Sequence, residues 1–385
     1  MKKRSILSFA TLAVAFTLTA QAKPLKVYIL AGQSNMEGHA QTSTFPAIAK
    51  DPKTAYLHKK IVGADGEAKV HEAIPIAYAY GNFSGDPVGR KHGKLTAGWG
   101  SQHHVGTGKI GPELTFGITM HELHGEPILL IKNAWGGKSL MVDFRPPSAG
   151  ELPDDNKHKD KAGAYYKEMM DHVTDVLADP KKVYPEYDAK EGYEIAGFVW
   201  FQGFNDMVGS YPKGEGKTKD YSEYSRLMAC FIRDVRKDLS VPKMPFVIGA
   251  LGVGGEEAGD NTAAFREAMA APAAMDEFKG NVAAVYSHKY WPDEVDAADK
   301  KVYQVKRSFH KRSQEAKKLE GAERKKEMSS IQADMQTAID KALTEEEKYQ
   351  FKVGRSNAGY HYLGSAKFFA QLGEAFAKTM VELEK

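Results

Sequence analysis

Three features of the chain predict a doubly wound α/β domain. Five short apolar runs recur along it: KVYIL (26–30), PILLIKN (127–133), IAGFVWFQ (195–202), PFVIGAL (245–251) and NVAAVYS (281–287). Continuous runs of this length fit strands buried on both faces. Stretches of helical periodicity separate them, among them 112–124, 162–178 and 220–239, and such alternation yields a parallel sheet covered on both sides. With 385 residues, 42% hydrophobic and 10% aromatic, the chain can bury that sheet in one large core.

Taken in order, residues 1–22 come first. Lys2, Lys3 and Arg4 precede an apolar stretch that closes on Ala20-Gln21-Ala22, the pattern of an export leader cut after Ala22. Residues 23–385 are then expected as a single secreted or periplasmic domain. The apolar core from Ile6 to Leu18 is too short to span a bilayer comfortably, and no later stretch is apolar enough to do so. The leader carries three of the 53 basic residues and none of the 50 acidic ones, so the remainder is close to neutral. That balance points away from nucleic acid and anionic membranes as partners. The lone Cys230 permits no internal disulfide, and its place among Leu227, Phe231 and Ile232 suits a core thiol.

Two insertions interrupt the rhythm. Residues 42–110, rich in Gly, His and Lys with possible short strands, fit an excursion between the first strand and its helix. Residues 293–352 carry dense mixed charge and read as solvated helices turning near Gly321. They are either a surface helix pair or an arm that covers the site or takes a protein partner.

Candidate chemistry sits at strand ends. Acyl transfer by serine needs a nucleophile, a base and fixed donors for the oxyanion. Ser34 follows the first strand, although Met36 breaks the G-x-S-x-G spacing of a nucleophile elbow. The second strand runs into Gly136-Gly137, where backbone can approach a ligand closely. The third delivers Gly203, Asn205 and Asp206, an element that equally suits an oxyanion donor or a plain turn. His361 lies just before the last helix, and Ser34 still lacks a base. His92 and the Gln102-His103-His104 cluster match no standard zinc spacing, so no metal is expected. Arg145 would either hold an acidic sugar or form a surface ion pair.

In this order, AGQSNM, GG, QG-x-ND and a late His resemble the SGNH (GDSL-like) hydrolases. GQSNMEG with GPELTFG (111–117) and WFQG resembles, more narrowly, the sialate O-acetylesterase domain, which includes carbohydrate esterase family six. The resemblance implies a flavodoxin-like three-layer α/β/α sandwich on a five-stranded parallel sheet, with the charged helical insertion added. It implies Ser34 as nucleophile and His361 as general base. Its oxyanion donors would be the Ser34 amide, Gly137 or Gly136, and Asn205. Gln33 and Gln202 would line the site, and no cofactor is implied. Two positions depart from the pattern: Phe204 stands where polysaccharide-acting relatives commonly have Glu, and Ala358 where the wider family tends to place an Asp. The group that orients His361 is then Asp206, the neutral Asn357 or a backbone carbonyl. Trp135, Trp200, Phe204 and Trp291 are candidates to stack on a sugar ring, with core packing favoured for Trp200. The expected activity is removal of O-acetyl groups from carbohydrate. A binding protein without turnover on the same scaffold is the alternative that Phe204 and Ala358 leave open.

Overall fold

The five apolar runs form five strands of a seven-stranded sheet. The computed structural model describes residues 23–82, 84–102, 108–209, 211–214 and 218–385, so the expected leader and His103-His104 lie outside the described residues. The strands are β1 (Leu25–Gly32), β2 (Ala40–Gln41), β3 (His71–Gly81), β4 (Pro87–Leu95), β5 (Lys109–Ile110), β6 (Ile128–Ala134), β7 (Tyr193–Phe201), β8 (Phe246–Ala250) and β9 (Val282–Tyr286). The helices are α1 (Ser34–Glu37), α2 (Phe45–Lys50), α3 (Ala55–Ile61), α4 (Glu113–His124), α5 (Ala164–Ala178), α6 (Phe204–Val208), α7 (Ser222–Asp238), α8 (Asp260–Ala270), α9 (Asp293–Ser308), α10 (His310–Ala316), α11 (Gly321–Ala342), α12 (Glu345–Val353) and α13 (Ala366–Leu383).

The main sheet runs β4-β3-β6-β1-β7-β8-β9, and β2 pairs with β5 apart from it. All neighbours in the main sheet are parallel except β3 and β4. The five-stranded expectation is therefore corrected to seven, and the two added strands, β3 and β4, come from within residues 42–110. The hairpin escapes a hydrophobic reading for physical reasons. Pro75 sits at an irregularity in the pairing of β3, and β4 is rich in charge and glycine, as an edge strand tolerates.

Packing on both faces follows from alternation along the strands. On β7, Phe198 and Trp200 meet Phe231 of α7, with ring centroids 5.9 and 4.4 Å apart. Phe201 instead meets Phe376 of α13 at 5.7 Å. Helix α13 also lies along α4, whose Phe116 packs edge-on against Tyr28 of β1. One charged residue interrupts the β6 run. The fully buried Lys132 Nζ donates to Glu113 Oε2 at 2.8 Å and to the Glu37 and Trp99 carbonyls at 2.8 and 2.7 Å. Three acceptors satisfy the ammonium, and removing one partner of such a pair typically costs about 3–5 kcal/mol. Cys230 is buried in the core, as its helical face predicts.

Helices α9 to α12 occupy the charged insertion, and α11 starts at Gly321, whose φ of 54° is left-handed. They close over a small core of Val302, Ile339 and Leu343. Among the described residues no helix is long and apolar enough to cross a membrane.

Candidate active site

Strand register brings three loops to one edge of the sheet. Gly32 pairs with Ala134 on one side and with Phe201 on the other, so β1, β6 and β7 end level and release their chains together. The chain builds β3 and β6 on one flank of β1 before crossing to β7, β8 and β9 on the other, and such a reversal opens a crevice at the carboxyl edge. Gly32 is required there: a Cβ on it would lie 2.1 Å from the Phe201 carbonyl oxygen.

Ser34 opens α1, with Gln33 as its N-cap. At the first helical position its N–H has no carbonyl one turn back to bond. Gln33 is buried and works from below. Its Oε1 accepts from the Gly203 and Asn205 N–H groups at 3.1 and 3.3 Å, and its Nε2 donates to Asn205 Oδ1 at 2.9 Å. This fixes the Asn205 amide by its oxygen and leaves Nδ2 directed elsewhere. A Cβ on Gly137 would lie 4.0 Å from that Nδ2, and one on Gly136 would lie 3.9 Å from Ser34 Cβ. Gly136-Gly137 thus runs between Ser34 and Asn205, with Gly137 left-handed at φ 73°.

The last segment arrives beside α1. Asn35 Nδ2 donates to the Tyr360 carbonyl at 3.2 Å, which ties the neighbour of Ser34 to the neighbour of His361. Asn357 Oδ1 lies 3.1 Å from His361 Nδ1. An amide oxygen only accepts, so the proton belongs on Nδ1 and the Nε2 lone pair is left for a base. The turn that presents the ring is strained. Tyr362 and Leu363 hold φ of 53° and 58°, uncommon for side-chain-bearing residues. Tyr362 is pinned at its hydroxyl, which accepts from the Gly252 N–H at 2.8 Å and meets Ser287 Oγ at 2.9 Å, while its ring stacks on Phe368 at 3.7 Å. Ser34 and His361 themselves make no hydrogen bond to each other in this structure.

Burial pushes the His361 imidazole down to about 2, and the nearby His39 and Lys109 add to the shift, so the ring is neutral at ordinary pH. His39 lies face to face with it, centroids 3.8 Å apart and planes at 2°. That contact has no sequence signature, because only the fold brings residue 39 to residue 361.

Several expected roles change. Asp206 does not meet His361. Its Oδ2 accepts from the Leu140 N–H at 2.8 Å and from Gln202 Nε2 at 2.6 Å, and its Oδ1 from the Met141 N–H at 3.0 Å and the Tyr211 hydroxyl at 3.3 Å. Burial pushes its carboxyl up to about 6 while those donors pull the other way. It braces the loop after Gly137, and of the two side chains considered as orienters the neutral Asn357 is the one in contact. Gln202 is likewise buried, bound to Gln33 Oε1, Asp206 and the Lys138 carbonyl, so it forms the floor. Trp135 has no exposed surface and packs on Phe144 and Tyr165, which rules it out as a sugar platform; Trp200 is core too. Phe204 is half-buried, its ring 5.9 Å from that of the exposed Tyr360, and together they wall the site. Arg145 donates to the Gly150, Met141 and Ala149 carbonyls, holding a loop. A cleft of about 600 Å³ opens beside Asn205, lined also by Ser139, Met141, Asn156, His158 and Tyr211. Among the described residues no three His, Cys, Asp or Glu side chains cluster as metal ligands would.

Residues 24–294 match the family model for carbohydrate esterase, sialic acid-specific acetylesterase. The match takes in Ser34, Gly137 and Asn205 and ends before His361. No curated protein matches the chain. Two solved structures are similar to it. One is a protein from Arabidopsis thaliana, 19% identical over 69% of this chain and 86% of that one, with a TM-score of 0.39. The other is a carbohydrate acetylesterase from Xanthomonas citri, 17% identical over 67% of this chain and 49% of that one, with a TM-score of 0.40.

Proposed function

The chain belongs to the sialic acid-specific acetylesterase family of carbohydrate esterases, and from that premise we propose that it is a secreted serine esterase that releases acetate from O-acetylated carbohydrate through an acyl-enzyme on Ser34. Ser34 Oγ attacks the acetyl carbonyl carbon as His361 Nε2 takes its proton. The oxyanion that forms faces the Ser34 and Gly137 N–H groups and Asn205 Nδ2. Collapse breaks the bond to the sugar oxygen, which leaves with the proton from His361. Water then attacks the acetyl-serine, gives its proton to the same Nε2, and the second collapse returns that proton to Ser34 Oγ and frees acetate.

The observation that carries this reading is the placement of the Gly136-Gly137 backbone between Ser34 and the oriented Asn205 amide. The cleft beside Asn205 supports a carbohydrate on that side, since about 300–1,000 Å³ is ordinary for a small-molecule site. The leader-like pattern of residues 1–22, basic residues before an apolar stretch ending at Ala20-Gln21-Ala22, supports export.

Acetate release from acetylated xylan and from p-nitrophenyl acetate tests the proposal. Ser34→Ala is expected to lower turnover on the order of 10³-fold or more. Equal release by wild type and Ser34→Ala removes the reading, and binding of acetylated xylan without release favours the carbohydrate-binding alternative.

A further inference from the structure

His361 has a neutral amide where a carboxylate usually stands. In a serine triad the third member fixes the tautomer and orientation of the imidazole and stabilises the imidazolium. Asn357 Oδ1 settles the tautomer from one edge. A single edge contact leaves the ring plane free to tilt, and something else has to fix it.

His39 supplies a face. It lies just past α1, buried at 7% exposure, and its ring overlaps that of His361 with planes 2° apart. His39 has a carboxylate beside it: its Nε2 is 3.4 Å from Glu37 Oε2, and the Glu37 backbone is anchored because its carbonyl accepts from the buried Lys132. The Glu37 carboxylate also borders the Gly136-Gly137 segment, 3.5 Å from where a Gly136 Cβ would stand. Tyr360 also meets the His361 ring, centroids 4.4 Å apart and planes at 69°. The base is thus in contact with His39, Tyr360 and Asn357.

We propose that His39 is a positioning residue of the esterase: its ring, beside Glu37, is the platform that fixes the plane of His361 and keeps Nε2 aimed at Ser34. It takes over the orienting work for which Asp206 and Ala358 provide no group. The inference rests on the Ser34–His361 reading above. A stacked ring fits here better than a second hydrogen bond, because Nδ1 is already engaged and Nε2 must remain open.

The test compares His39→Ala and His39→Phe in the full chain with p-nitrophenyl acetate, with thermal unfolding of each. His39→Ala is expected to lower kcat on the order of 10- to 100-fold, the size of effect that slight misplacement of a reacting group produces, with KM nearly unchanged. His39→Phe keeps a flat ring and is expected to recover most of the loss. Wild-type kcat in His39→Ala, or a folded His39→Phe as slow as His39→Ala, overturns the proposal. If His39→Ala does not fold, His39→Phe decides alone, with near-wild-type kcat supporting the platform and a large loss in a folded protein overturning it. Ser34→Ala is run alongside. Activity indifferent to Ser34 sinks the esterase reading and this inference with it; activity that needs Ser34 but ignores His39 sinks the platform alone.

Discussion

In the proposed mechanism His361 concentrates the chemistry at the scale of one residue. Burial, His39 and Lys109 all disfavour its charged form, so it stays a free base well below the ordinary histidine range. The sign of two effects follows. With His361 as the proposed base, the acid limb of kcat/KM is expected below that of an exposed histidine, because protonation of the base stops attack. Stability contributed by this group falls as pH drops below the unfolded-state value, since the unfolded chain then binds the proton more readily. Asn357 is the handle on both. Replacing it by Ala removes the Nδ1 acceptor and is expected to lower kcat roughly 10- to 100-fold. Asn357→Asp sets an anion beside Nδ1, raises the basicity of the ring and moves the acid limb upward. A pH profile of acetate release for the three proteins checks this, and a limb in Asn357→Asp that stays put or moves down contradicts it.

Among the elements, the loop after β6 is held by a neighbour as well as by its own Ser139, Asp143 and Arg145. Four donors converge on the Asp206 carboxylate, two of them the N–H groups of Leu140 and Met141. In Asp206→Asn an NH₂ group faces at least one of those donors and leaves it buried and unpaired, at a cost of about 1–3 kcal/mol. The loop carries Gly137, so kcat is expected to fall together with stability, both measurable by denaturant unfolding and turnover at pH 7. Unchanged stability would show that the brace is not needed. The sequence makes Asp206 visible but not its partner, because a polar residue at a strand end does not say which loop it bonds. Legibility elsewhere follows the same logic. β1, β6, β7, β8 and β9 are legible as unbroken apolar runs, and α4, α5 and α7 by their periodicity. β3 and β4 are legible only as possible short strands within 42–110, since Pro75 and the Gly, Lys and His of β4 weaken the signal. Ser34, Gly137, Asn205 and His361 stand out by lying at strand ends or before the last helix, whereas His39 carries no local mark. The aromatic residues mislead for a related reason: composition does not tell a packed Trp135 from an exposed one.

Across the whole molecule stability is uneven, and the helical insertion shows where. Helix α11 runs from Gly321 to Ala342, yet only Ile331 and Ile339 are buried along it. The small core it shares with α9 centres on Val302, Ile339 and Leu343, with Val305, Met335 and Phe351 against it. Burying an apolar side chain contributes about 1.5–3 kcal/mol before ordering costs, so three such residues hold the helices only weakly. The ion pairs Arg312–Glu327, Arg312–Asp334 and Lys50–Glu346 lie on the surface, where such pairs add little. The central strands, by contrast, are buried on both faces. Amide hydrogen exchange should therefore show α10 and α11 opening at a free energy well below that of β1, β6 and β7. The catalytic turn need not follow them. Beyond α12, Ser356 Oγ accepts from the Gln41 N–H and donates to the Gly364 carbonyl, and Tyr362 is bound to Gly252 and Ser287, all independent of α11. On heating, then, α11 should lose protection while acetate release persists, and release should end only when the sheet unfolds. Protection in α11 equal to that of β1, or activity lost in step with α11, would mean that the arm is integral to the site.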